Sequence, residues 1–195
     1  PKMGRSGGSK LLDEFGLNSS DLAGKEYPSR LSSNTNALSG DQKNQVQKPK
    51  GNYSIYLVEP NDFQLNKFFY KQIGKKYFWK DRLDWSNKNW IDYVSNEKIF
   101  TYILKNNDDI IGYFELIFHE IKGEAEIAYF GILENYFGKK LGGYLLSQAI
   151  KKAFQLNIKR LWLHTCSLDH KNALKNYLSR GMAIFKSETL KAKIA

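Results

Sequence analysis

The stretch FGILENYFGKKLGGYLL, residues 130–146, decides how the chain is read. It passes from an apolar strand-like run through a glycine-bearing turn into leucines at helical spacing. Leu141, Leu145, Leu146, Ala149, Ile150 and Phe154 extend that spacing, which predicts an amphipathic helix. Strand, glycine loop and helix make a design that can cradle phosphate. Without side chains at Gly138, Gly142 and Gly143 the backbone lets an anion come close, and unpaired N–H groups at the helix start supply donors and partial positive charge. Lys139 and Lys140 add full charges beside Leu141. The spacing fits neither the dinucleotide nor the Walker pattern, so by itself it reads equally well as a plain turn.

Upstream, residues 53–59 are β-branched and aromatic, and Pro60-Asn61-Asp62 offers a start for a helix over 63–73. Residues 76–94 carry Trp79, Trp85 and Trp90 among charges, with Asp84 or Ser86 able to cap a second helix. This aromatic segment either packs in the core or lines a cleft. Strands are predicted at 98–105, 110–118 and 125–133 as an antiparallel meander, then at 159–165 and 183–188 around a helix at 172–180. The order β-α-α-β-β-β-α-β-α-β predicts an α/β (α+β) fold with a mixed sheet of six to seven strands and helices on both faces. Residues 1–51 are rich in Ser, Gly, Asn, Lys and Gln, and they read as a disordered tail ahead of a domain at 52–195. Within the tail, Leu11, Leu12 and Phe15 form a short apolar helical face over 9–17.

Composition narrows the function. The 195 residues suit one domain, and a net charge of +10 favours anionic partners, whether a nucleotide-bearing cofactor or nucleic acid. No aromatic and basic interleaving of a nucleic-acid module is present. Cys166 is the single cysteine, which excludes an internal disulfide. His164, Cys166 and His170 are close but lack a fourth ligand, so no metal is assigned. No apolar run approaches the length of a membrane span or a signal peptide, and the expectation is a soluble, cytoplasmic protein.

A second stretch, LDHKNALKNYLSRGM at 168–182, raises the weight of the glycine loop. Ala173, Tyr177 and Gly181 fall four residues apart, followed by hydrophobic Met182 and a final strand. Together the two stretches resemble the GNAT (general N-acetyltransferase) superfamily, its "Asn-x-x-Ala-x-x-x-Tyr-x-x-x-Gly-Phe" signature above all, and the glycine loop matches the family's "Arg/Gln-x-x-Gly-x-Gly/Ala" motif in part. Phe137 stands where the family has Arg or Gln, Lys140 where it has Gly, and His170 where it has Asn. The run 163–170 looks like a bacterial GNAT subgroup of unassigned substrate.

The resemblance implies an enzyme that moves an acetyl group from acetyl-CoA, as co-substrate, to a primary amine by direct transfer. It implies a cofactor arm threaded between two splayed parallel strands, 129–133 and 159–165, with backbone groups of Phe130, Gly131 and Ile132 pairing with pantetheine. The diphosphate would lie at Gly138, Lys139, Lys140, Leu141, Gly142 and Gly143, with His170 or Asn172 in place of the family's Asn. Tyr177 is the implied acid for the departing thiolate. Glu126, expected on the strand face of Ala128, Phe130 and Ile132, resembles the family's glutamate base. Glu115, Glu120 and Glu126 would attract a cationic amine, and Trp79, Trp85 and Arg82 would shape its cleft. The partners implied are a small-molecule or peptide amine acceptor, no membrane and no specific nucleic acid, with a homodimer as one assembly the reading allows. Two alternatives stand beside this: a GNAT-fold acyl-CoA binding module with reduced catalysis, and a basic nucleic-acid-associated protein.

Overall fold

The computed structural model describes residues 25–34 and 46–190, with side chains from 46 to 187. A mixed sheet of seven strands is assembled in the order β2-β3-β4-β5-β6-β1-β7. The strands are β1 (Lys25–Asn34), β2 (Tyr53–Leu57), β3 (Ile99–Asn106), β4 (Asp109–His119), β5 (Glu124–Ile132), β6 (Arg160–Leu163) and β7 (Ala183–Leu190). The helices are α1 (Phe63–Tyr77), α2 (Asn87–Val94), α3 (Leu141–Phe154) and α4 (Ala173–Leu178). From Tyr53 onward the element order is the one predicted. All pairings are antiparallel except β5 with β6.

Local chemistry explains the helix ends. Asp62 accepts from the Gln64 N–H at 2.9 Å to open α1, and Ser86, rather than Asp84, opens α2 in a reciprocal capping box with Asn89. Phe78 closes α1 in the left-handed region, and the Trp79 N–H donates to the Gly74 carbonyl at 3.2 Å. A Cβ at Gly74 would stand 2.6 Å from the Trp79 side chain, so only glycine admits that return.

Two apolar layers sandwich the sheet. On one face α3 and α4 bury Leu116, Ile127, Leu145, Leu146, Ala149 and Tyr177. On the other, α1 buries Phe69 and Ile73 against Ile103 and Tyr113. Each fully buried aliphatic or aromatic side chain contributes roughly 1.5–3 kcal/mol, and together they fix both helical layers.

The stretch read as a tail contains β1. Its backbone runs between β6 and β7 and is antiparallel to both, with Leu31 opposite Leu163 and Ile184. Pro28 falls in the break of register between Tyr27 and Arg30, where a missing N–H costs the ladder nothing. The helical face expected at 9–17 lies outside the described residues. Among the described residues no helix is long and apolar enough to cross a membrane.

Candidate active site

The site begins where two parallel strands part. β5 and β6 pair from Glu124 with Arg160 to Ile127 with Leu163, and the pairing stops there while β5 runs on to Ile132. The cause lies one residue along. Glu115 pairs with Tyr129 and Leu116 with Ile127, so Ala128 is an extra residue in a β-bulge. A bulge sharpens the local twist and turns the rest of β5 away from β6.

Past the bulge, Leu133 donates its N–H to the Ile111 carbonyl on the β4 side at 2.8 Å. Backbone direction alternates along a strand, so Gly131 also faces β4, whereas Phe130 and Ile132 turn their N–H and C=O groups into the opening. Of the three residues predicted to pair with a ligand arm, these two offer their backbone. Gly131 is glycine for a different reason: a Cβ there would lie 2.7 Å from Ile73 of α1.

The bulge also corrects the predicted face of Glu126. The extra residue reverses the alternation, so Phe130 and Ile132 join the α3 layer and Tyr129 joins the α1 layer. Glu126 is therefore on the sheet face opposite Ile127 and Phe130, not beside them. Its Oε2 lies 3.3 Å from His119 Nε2 and its Oε1 3.8 Å from His164 Nε2. The side chain keeps 16 % exposure, enough for a ligand to reach it.

Tyr177 lies on the other face. It is buried, its ring packs edge-on against Phe130 at 6.3 Å, and burial, with Asp169 and Cys166 nearby, holds its hydroxyl well above the usual tyrosine range. The phenol therefore keeps its proton. The two predicted catalytic residues stand on opposite faces of the sheet, with the opening between them.

At the mouth, Gly138 and Lys140 both have positive φ, 79° and 61°, and α3 starts at Leu141 with no side-chain cap. The first N–H groups of α3 are thus left for another acceptor. A Cβ at Gly138 or Gly142 would meet nothing within 4 Å, so open space borders both. Leu141 buries its side chain in the core and has only its backbone to offer. Gly143 serves packing, because a Cβ there would stand 2.2 Å from Arg180 Nη2. Arg180 donates from Nε to the Gly143 carbonyl at 3.0 Å, and Asn176 donates to the Gly142 carbonyl at 3.3 Å. These bonds tie α4 to the first turn of α3.

Arg180, which the sequence reading missed, brings a further cation to the first turn of α3, the helix that Lys139 and Lys140 precede. The only signal was its place four residues after Asn176, just past the end of the short helix α4. None of the three is ion-paired among the described residues. Partial burial pulls the Arg180 pKa down, as expected for a guanidinium without a carboxylate. Three cations at the positive end of a helix form an arrangement that an anion relieves.

His170 sits across the mouth, its Nδ1 accepting from the exposed Asn172 N–H at 3.1 Å and its ring edge-on to Phe137 at 5.4 Å. The Phe137 that departs from the motif is thus an aromatic lip. Asp169 anchors the loop after β6 by accepting from the Thr165 hydroxyl at 2.7 Å and the Cys166 N–H at 3.1 Å. Burial is the main cause that raises the Asp169 pKa, and it pushes the Cys166 thiol up to about 11, so that sulfur is no nucleophile at neutral pH.

Within the aromatic segment 76–94, Arg82, Trp90 and Val94 are buried, while Trp79 and Trp85 remain partly exposed. Arg82 is 5 % exposed, donates to the fully buried Glu115 at 2.9 Å, and lies 4.0 Å from the Tyr93 ring and 4.2 Å from the Tyr129 ring. Glu115 also accepts from Tyr93 at 2.8 Å and Asn66 at 2.7 Å. Glu120 is paired with Lys98 at 2.7 Å. Of the three glutamates expected to attract an amine, only Glu126 lies next to the point where β5 and β6 part.

Comparison with known proteins bears on the family and the fold. The profile of the Acetyltransferase (GNAT) family matches residues 52–182. No curated protein matches the chain. Among solved structures, a GCN5-related N-acetyltransferase from Sphaerobacter thermophilus superposes with a TM-score of 0.61 at 12% identity, over 92% of this chain and 53% of that one. An aminoglycoside acetyltransferase, meta-AAC0020, from an uncultured soil metagenomic sample gives 0.58 at 11% identity, over 74% of this chain and 96% of that one. The ribosomal-protein-S18-alanine N-acetyltransferase from Escherichia coli gives 0.51 at 20% identity, over 66% and 76%. The chain spans about half the length of the first of these, and likewise 56% of a GCN5-related N-acetyltransferase from Kribbella flavida. At these identities the structures establish the fold, and the profile covering two thirds of the sequence establishes the lineage: the chain belongs to the GNAT acetyltransferase family.

Proposed function

We propose that the chain transfers an acetyl group from acetyl-CoA directly to a primary amine. One observation carries this reading: β5 and β6 part after Ile127, with Glu126 on one face of the sheet and Tyr177 on the other. The residues present fit the co-substrate. The Phe130 and Ile132 backbone suits the amides of pantetheine. The uncapped start of α3, with Lys139, Lys140, Arg180 and the open flanks of Gly138 and Gly142, suits a diphosphate. His170 and Asn172 line the mouth between them. Acetyl-CoA supplies the activated thioester, and the chain supplies orientation and proton transfer.

An acceptor with an ordinary amine pKa near ~10.4 arrives protonated at neutral pH. Glu126, partly exposed at the junction of the strands, takes that proton, and the freed amine attacks through the opening. Tyr177 holds its proton until the tetrahedral intermediate collapses and passes it to the departing sulfur, whose conjugate acid has a pKa of ~8.5 by analogy with cysteine. It is restored by the second proton that the acylated nitrogen loses as the amide forms. The acceptor is a small molecule or a peptide whose amine reaches Glu126 from the α1 face.

The test is amine-dependent thiol release from acetyl-CoA over a panel of primary amines, with a tertiary amine as control. Release with at least one primary amine and none with the tertiary amine is expected. Acetyl-CoA that binds in calorimetry but is turned over with no amine would instead identify an acyl-CoA binding module, the role to which Phe137 in place of a charged residue points.

A further inference from the structure

His119 ends β4 beside Glu126, with Nε2 3.3 Å from Oε2. Its orientation is fixed from the other side, because the ring lies flat against Trp162 of β6, with centroids 5.6 Å apart and planes 15° from parallel. The nearest other carboxylate on β5, Glu124, is already paired with Arg160 at 3.2 Å and does not compete for the imidazole. The Glu126 carboxylate therefore has one oxygen held by a ring that β6 itself orients, and its second oxygen, Oε1, turned to the side of β6, where His164 Nε2 stands 3.8 Å away, beyond hydrogen-bond distance.

We propose that His119 is a positioning residue for Glu126: its Nε2–H, donated to Oε2, fixes the carboxylate so that Oε1 meets the acceptor amine. The inference rests on the reading of Glu126 as the base. A terminal glutamate torsion is otherwise broad, and a carboxylate free to turn presents a lone pair to the amine only part of the time. A hydrogen bond to the ionised form restrains that torsion. The gain is in orientation. His119 touches neither thioester nor amine.

The experiment compares His119→Phe, which keeps a flat ring for Trp162 but has no donor, with His119→Gln, which restores an N–H. At saturating amine, turnover should fall about tenfold in His119→Phe and return to within about threefold of the parent in His119→Gln, the scale of one hydrogen bond to a charged group. The KM for acetyl-CoA should not move. In a Glu126→Gln background, His119→Phe should cost nothing more, because its effect passes through that carboxylate. Nitrogen NMR of the intact protein should show His119 as the Nε2–H tautomer, and Glu126→Leu, which removes the acceptor, should abolish that preference. An equal loss in both backgrounds, no recovery with glutamine, or an Nδ1–H tautomer would overturn the role. A loss in Glu126→Gln with none in His119→Phe would overturn positioning alone, while full activity in Glu126→Gln would remove the base reading and the proposal with it.

Discussion

Arg82→Met with Glu115 retained should destabilise the fold by about 3–5 kcal/mol, the cost of leaving one partner of a buried ion pair alone. A domain of this size is stable by roughly 5–15 kcal/mol, so the variant should be near its unfolding midpoint under mild conditions. The size follows from burial: the Arg82 and Glu115 side chains are 6 % and 0 % exposed, and no water can take the guanidinium's place. Asn66 and Tyr93 would still donate to the carboxylate, which keeps the loss from being larger. The methionine also forfeits the stacking of the guanidinium over Tyr93 and Tyr129. Urea unfolding followed by tryptophan fluorescence measures the change. A loss below about 1 kcal/mol, the level of an exposed pair, would show that the pair is hydrated and that residues 79–86 are not pinned to the sheet.

Tyr177→Phe should lower turnover by about 100- to 10,000-fold, the usual contribution of a positioned acid, with cofactor affinity nearly unchanged. Phenylalanine keeps the ring that packs against Phe130, so the fold and the opening persist. Only the hydroxyl is lost, and burial holds its pKa so high that it is protonated at every working pH. The loss should therefore be flat across the neutral range. Single-turnover rates and calorimetry with acetyl-CoA separate the two effects. Equal rates in mutant and parent would make Tyr177 a packing residue, and a parallel loss of affinity would make it part of the cofactor's pocket.

Much of this architecture was legible in the sequence because it rests on local periodicity. Leucines at helical spacing gave α3, the alternating run 98–133 gave the meander, and the glycines marked the turn into α3. What escaped depends on residues far apart in the chain. The Ala128 bulge exists only in register with β4, and that single extra residue moved Glu126 to the opposite face from the one expected. Arg82 read as a cleft residue because nothing local reveals that Glu115, 33 positions on, is its partner. The packing role of Gly143, whose missing side chain makes way for Arg180, likewise depends on a residue 37 positions on. β1 was hidden by Pro28 and its serines, since such a segment becomes a strand only where β6 and β7 leave room between them.

The central claim is that the parted strands receive the cofactor arm, and amide hydrogen exchange resolved by NMR tests it at single residues. The amides of Phe130 and Ile132 point into the opening and should exchange quickly in the free protein, then slow by about tenfold or more with saturating acetyl-CoA as they gain hydrogen-bond partners. Gly131, already turned to β4, should change little. Protection of Phe130 and Ile132 with Gly131 unmoved is the predicted result. Unchanged exchange at both residues while acetyl-CoA is bound would place the cofactor elsewhere and contradict the account.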